Sequence, residues 1–170
     1  MITSVELSNF LSHRNNEIKF DHGVTVLLGH NGAGKSTIMD AIIFSMFGKW
    51  GNRDSVGKLQ KEGENQTYAK TSFEINGKIY HAVRKIQNGA TKVHELTDES
   101  GSLITKSATE TETKIKELIE LDYNELRIAS IVAADELTRI INVGSELRSL
   151  IDKMMGAEKY SKLESLLKEG

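Results

Sequence analysis

Gly29-His30-Asn31-Gly32-Ala33-Gly34-Lys35-Ser36-Thr37 fits the pattern G-x-x-x-x-G-K-[ST] of a phosphate-binding loop. Its flanks suit that reading. Val24 to Leu28 is a short apolar, partly β-branched run that reads as a buried strand. Ser36 to Phe47 reads as a helix, with Ile38, Ala41 and Ile42 on an apolar face and Gly48 as its C-terminal stop. Glycines let the loop backbone take conformations closed to residues with a Cβ, so its N–H groups can wrap around phosphate oxygens. The positive end of the following helix points at the same anion. Lys35 is placed to reach the β- and γ-phosphates, and the Ser36 hydroxyl to bind Mg²⁺. The residues therefore imply a nucleoside triphosphate, cradled by Asn31, Gly32, Ala33, Gly34, Lys35, Ser36 and Thr37.

Working outward, the chain has 170 residues, enough for one domain with a core. A net charge of −2 gives no general support for nucleic-acid binding, and the absence of cysteine excludes disulfides and thiolate metal sites. No apolar run is long enough for a membrane span, and the N-terminus lacks the apolar core of a signal peptide. The histidines at 13, 22, 30, 81 and 94 show no metal-ligand spacing.

Upstream of the loop, Ile2–Ser8 alternates as a strand, Asn9 to His13 breaks it, Glu17–Phe20 alternates again, and Asp21-His22-Gly23 is a turn. Downstream, residues 49–66 are polar and Gly-rich and read as a surface loop. Residues 67–97 read as an antiparallel meander, with hairpin turns at Asn76-Gly77 and Asn88-Gly89 and a further turn at residues 98–101. Lys70, Lys78, Arg84, Lys85 and Lys92 put positive charge on this layer. Ser107-x-x-Glu110 and Thr109-x-x-Glu112 both fit a capping box for a helix running to Leu121, with Ile115, Leu118 and Ile119 as its buried stripe. Residues 124–141 are apolar and not clearly typed. Residues 145–168 carry an i, i+3, i+4, i+7 apolar pattern that reads as the root of a coiled coil.

Hydrolysis needs carboxylates to serve Mg²⁺ and water. One candidate is Ile131-Val132-Ala133-Ala134-Asp135-Glu136, in which Asp135 would serve the metal and Glu136 act as general base, as in a Walker B strand. Against this, residues 127–137 are alanine-rich and as helical as they are strand-like. The alternative is that the second half of the site lies on another segment.

Asn9-Phe10-x-Ser12-His13, the phosphate loop, Asp40-Ala41-Ile42 and Gly156-Ala157-Glu158-Lys159-Tyr160 together resemble the N-terminal segment of SMC-like ATPases. The match is best to the archaeal ATPase of the double-strand-break repair complex, which is similar to bacterial SbcC. The resemblance implies an α/β fold: the N-terminal lobe of an ABC-type ATPase head, with a P-loop core, an antiparallel meander and a C-terminal helix entering a coiled coil. It divides the chain into a lobe over residues 1–144 and the start of a coiled-coil helix over residues 145–170. It implies ATP and Mg²⁺ as cofactors. Its implied partners are the C-terminal half of the same ATPase, a second head, a repair nuclease and double-stranded DNA, with no membrane, in the cytoplasm. The C-terminal half carries the Ser-Gly-Gly motif, Walker B and the catalytic glutamate in such proteins, so the chain alone is expected to be a weak or inactive ATPase. Gln60, Lys61 and Glu62 match a family segment that approaches the nucleotide. The sequence departs from the family in two places. Leu11 replaces a basic residue that touches nucleotide, and Ala134-Asp135-Glu136 stands where a Q-loop glutamine is usual, with Asp135 the candidate substitute at the metal. The alternative function is a self-contained P-loop NTPase that uses Asp135 and Glu136. A third is a nucleotide-binding or interaction module without catalysis.

Overall fold

The computed structural model describes residues 1–50 and 53–130. The chain divides into two units, residues 1–121 and 122–170, taken separately below. The expected lobe boundary at residues 144/145, the coiled-coil helix, Gly156–Tyr160, Asp135 and Glu136 lie outside the described residues.

In the first unit, β1 (Ile2–Phe10) and β2 (His13–Lys19) form a hairpin, followed by α1 (Lys35–Phe47). A short 3₁₀ turn (Val56–Leu59) leads to β3 (Gln66–Ile75), β4 (Lys78–Gln87), β5 (Ala90–Asp98), the brief β6 (Leu103–Thr105) and α2 (Ala108–Ile119). The strands make one antiparallel sheet in the order β2-β1-β3-β4-β5-β6. The hairpin and the meander expected from the sequence are therefore one sheet, joined where β1 pairs with β3. β6 was not expected.

The turns form where the sequence predicts them. Asn76 and Gly77 have φ of 52° and 74°, and Asn88 and Gly89 of 49° and 75°. Two successive left-handed residues match the twist of the flanking strands, and Asn-Gly adopts that pair at little cost. Residues in register share a face. Leu7, Ala69, Arg84 and His94 form one cross-strand row, and Val5, Thr71, Ala82 and Leu96 another. On β1, β3 and β4 both rows face α1, whose Ile38, Ala41, Ile42, Phe44, Met46 and Phe47 are buried, and on β5 the strand packs against α2. A strict period of two would turn Asn9 inward. Its left-handed φ of 49° breaks the alternation, and Phe10 is buried instead, tilted against Phe44 at 5.9 Å.

α1 is fixed to the sheet by polar contacts as well. Ser45 Oγ lies 2.6 Å from Thr71 Oγ1 on β3. The helix stops as expected at Gly48, whose φ is 68° and whose N–H donates to Phe44 O at 2.8 Å. Arg84 was grouped with the lysines as surface charge; it is 2% exposed. Its Nε donates to Ser45 O at 3.2 Å and its Nη2 to Met46 O at 3.4 Å, so a cation sits on the negative end of α1. Its Nη1 donates to His94 Nδ1. A Cβ on Gly48 would come within 2.9 Å of the guanidinium, so this glycine is required by space as well as by φ. The sequence reading failed here because a strand arginine is usually wet, and its partners are carbonyls, which no side-chain pattern records. On the opposite face Lys70 pairs with Glu6 at 2.7 Å and Lys85 lies over the Tyr68 ring.

The largest departure concerns Val24 to Leu28. It forms no strand, and Val24, Val26 and Leu28 are 92%, 69% and 89% exposed. The expected buried strand is not formed, because no neighbouring strand among the described residues pairs with this apolar run.

In α2, Ser107 is the cap of the two candidates, its Oγ accepting from Glu110 N at 3.3 Å. Ile115 is fully buried, with Leu118 and Ile119 at the margin. In the second unit, α3 (Tyr123–Ser130) opens on a reciprocal cap. Glu125 N donates to Asp122 Oδ1 at 3.0 Å and Asp122 N to Glu125 Oε2 at 2.7 Å. This resolves the start of the stretch left untyped.

Two outcomes follow from the Arg84 contacts. Arg84→Met strands two helix-end carbonyls and an imidazole nitrogen, and should cost about 2–4 kcal/mol in urea unfolding; a near-native midpoint would refute the anchoring role. Burial, then the nearby Arg84, hold the His94 pKa below 6.5. Burial, then Lys70, lower that of His81. The unfolded chain thus takes up protons first as pH falls, so this stability is complete above the ordinary histidine range and is lost below it. The melting temperature should drop between about pH 7.5 and pH 5.5, and His94→Asn should shrink the drop.

Candidate phosphate-binding site

The loop lies where a helix start meets a hairpin tip. Gly34 is the N-cap of α1, at φ 91°. Gly32 is also left-handed, at φ 82°, while Gly29 is not among the left-handed residues. Two of the three loop glycines thus need their freedom of φ. Gly29 is tight instead, since a Cβ there would meet Ala33 Cβ at 3.2 Å. No side chain caps the start of α1, which leaves its first N–H groups available to an anion.

Lys35 is bound to the loop itself. Its Nζ donates to Gly29 O at 2.8 Å and to His30 O at 2.9 Å. These bonds draw the loop closed around its own cation. A phosphate would exchange neutral acceptors for a charged one, which makes a stronger bond. Ser36 is exposed and its hydroxyl is free to face a ligand, whereas Thr37 is buried. The donor set suits a Mg²⁺-triphosphate: backbone N–H groups and one lysine for phosphate, and a hydroxyl for a hard cation that keeps most of its waters.

A cavity of about 570 Å³ lies over the loop, lined by Leu11, Ser12, Asn31, Gly32, Gly34, Lys35, Ser36, Thr37 and Arg53. Six of the seven cradle residues named from the sequence are thereby gathered with two further elements. One is the hairpin tip at Leu11 and Ser12. Leu11 has φ of 49°, an uncommon backbone state for a branched side chain, and is held in it by its N–H bonding Leu59 O at 2.8 Å. The other is Arg53. Its Nη2 donates to Asp40 Oδ2 at 2.7 Å and its Nη1 to Trp50 O at 2.9 Å, so its guanidinium is fixed at the rim by a carboxylate from α1. The spacing of Asp40 and Arg53 across a loop carries no periodic signal, so the sequence could not have paired them.

Gln60, Lys61 and Glu62 are not among the lining residues. Gln60 Oε1 accepts from Gly89 N at 2.7 Å, Lys61 Nζ donates to Ser12 O at 3.4 Å, and Glu62 is exposed. The segment abuts the hairpin tip through Phe10 and Gln60, which form an isolated bridge. Asp135 and Glu136 fall outside the described residues, and among those residues no cluster of metal-ligating side chains exists.

The AAA domain family matches residues 4–169. The chain is 32% identical to the DNA double-strand break repair Rad50 ATPase of Methanococcus maripaludis over 167 residues, covering 95% of this chain and 16% of that protein. It is 37% identical to the protein of the same name from Sulfurisphaera tokodaii, covering 96% of this chain and 19% of that one. The chain thus spans less than a fifth of the length of these curated relatives. Among solved structures, one from work on ATP-driven dimerization and DNA-stimulated activation of SMC ATPases aligns with a TM-score of 0.67 at 23% identity, covering 90% of this chain and 98% of that one. The SMC head domain from Thermotoga maritima aligns with a TM-score of 0.51 at 25% identity, covering 66% of this chain and 41% of that one. A phosphate loop set on this sheet, a family match over nearly its whole length and Rad50 ATPases as its relatives place the chain in the AAA domain family, as a homologue of a segment of the Rad50-type ATPase head.

Proposed function

We propose that the chain is the ATP-binding, N-terminal half of the head of a DNA double-strand-break repair ATPase, completed by a C-terminal half. One observation carries this reading: the phosphate loop is formed, while Val24 to Leu28, which leads directly into it, stays exposed and unpaired. A P-loop normally hangs from a sheet strand. The apolar run supplies that strand's sequence, and the missing neighbours are what a second half would bring.

In this reading the chain's own residues grip and orient the nucleotide. The N–H groups at the start of α1 and those of residues 31–34 surround the β-phosphate. Lys35, now on Gly29 O and His30 O, would bind the β- and γ-phosphates, and the Ser36 hydroxyl would be a ligand for Mg²⁺. The metal supplies charge neutralisation for the developing transition state. The water-activating carboxylate comes from the second half. The same proposal includes two heads closing on ATP, double-stranded DNA and a nuclease as partners, and an intracellular setting; what supports it is the likeness to relatives named DNA double-strand break repair Rad50 ATPase.

The test is ATP turnover by the chain alone and after addition of the matching C-terminal half. Little or no turnover alone, and strong turnover once complemented, is expected. Robust turnover by the chain alone, abolished by Glu136→Gln, would select a self-contained NTPase instead. Lys35→Ala should weaken ATP binding by about tenfold or more. Val26→Asp should leave ATP binding of the isolated chain unchanged but block complementation; a Val26→Asp chain that still complements would remove the paired-strand reading.

A further inference from the structure

The hairpin tip and the phosphate loop meet through one side chain. His13 Nε2 lies 3.1 Å from Gly34 O, and its Nδ1 lies 3.1 Å from Asn16 Oδ1. A carbonyl only accepts, so Nε2 is the donor. Gly34 is the N-cap of α1, and a Cβ added to it would come within 2.5 Å of Ser12 Oγ and 2.6 Å of His13 Nε2. The tip therefore rests on the loop backbone with no space between them. From its other side the tip is held by Leu11 N to Leu59 O at 2.8 Å, Lys61 N to Asn9 O at 2.9 Å and Lys61 Nζ to Ser12 O at 3.4 Å.

We propose that His13 is a positioning residue of the nucleotide site, aiming the start of α1 by bolting the Gly34 carbonyl to the β1–β2 turn. This rests on the ATP-binding reading above. The cradle is built from backbone N–H groups, and their aim depends on the orientation of the peptide that joins Gly34 to Lys35. With φ in the left-handed region and no side-chain cap, that peptide lacks the local restraint that a Ser, Thr or Asp cap gives other helices. The imidazole supplies the restraint from a distant strand. His13 is itself not among the residues that line the cavity; it reaches the site only through the Gly34 carbonyl.

The experiment compares Mg-ATP binding by the wild-type chain, His13→Ala, His13→Gln and Lys35→Ala by titration calorimetry, with the melting temperature of each nucleotide-free protein. His13→Ala should bind about tenfold more weakly while staying folded at the assay temperature, its melting temperature falling by only the few degrees that one lost hydrogen bond costs. His13→Gln, whose amide N–H can reach the same carbonyl, should stay within about threefold of wild type. Wild-type affinity in His13→Ala, no recovery in His13→Gln, or a loss that merely tracks a lowered melting temperature would overturn the positioning role while leaving ATP binding intact. A wild-type chain that does not bind Mg-ATP, with Lys35→Ala indistinguishable from it, would overturn both readings.

Discussion

The guanidinium of Arg84 sits in the interior of the first unit, and among the described residues it is bonded to two main-chain carbonyls and an imidazole rather than to a carboxylate. Burial pulls its pKa down to about 10, and Glu112 partly restores it. Charging this group in the interior is costly unless its donors are used. They are used on the last turn of α1, the helix whose first turn forms the phosphate loop. The helix is apolar on nearly every side, so packing alone would leave its rotation and axial position weakly specified. Directional bonds from Arg84 and Thr71 remove that freedom. The position of the loop is thus set partly from the far end of the helix, by a strand that never approaches the phosphate.

The front of α1 is constrained by glycines, the rear by an arginine and a glycine together. Gly34 and Gly48 both take left-handed φ, and a Cβ on either would strike a polar side chain from the sheet. At both ends the small residue makes room for a polar group that then bonds a helix carbonyl. The same solution closes a binding site at one end and a core at the other.

How much of this could be read beforehand depended on whether the signal was local. The loop, the extent of α1, Gly48 as its stop, both Asn-Gly turns and a capping box at Ser107 or Thr109 each rest on a few adjacent residues and were legible, while the choice of Ser107 came from the structure. The contacts of Arg84, the Asp40–Arg53 pair and the docking of His13 join residues far apart in the chain, with no periodicity to betray them. Arg84 was misjudged because strand polarity argues for solvent, and the row it shares with Leu7, Ala69 and His94 became visible only with the register. Val24 to Leu28 failed differently. Apolar composition argued for a buried strand there, but a strand is a relation between segments, and one member of the relation cannot form it alone.

That unpaired segment has a consequence for how such a protein is made. Ribosomes add about 5–20 residues per second, and this chain matches less than a fifth of the relatives' length. On the proposed reading, with a C-terminal half encoded far downstream, the N-terminal half would wait for on the order of a minute with a sticky edge uncovered. Successive ribosomes on one message would then hold many such edges close together. A chaperone, or early capture by a neighbouring nascent chain, would decide whether the head closes on itself or on a sibling.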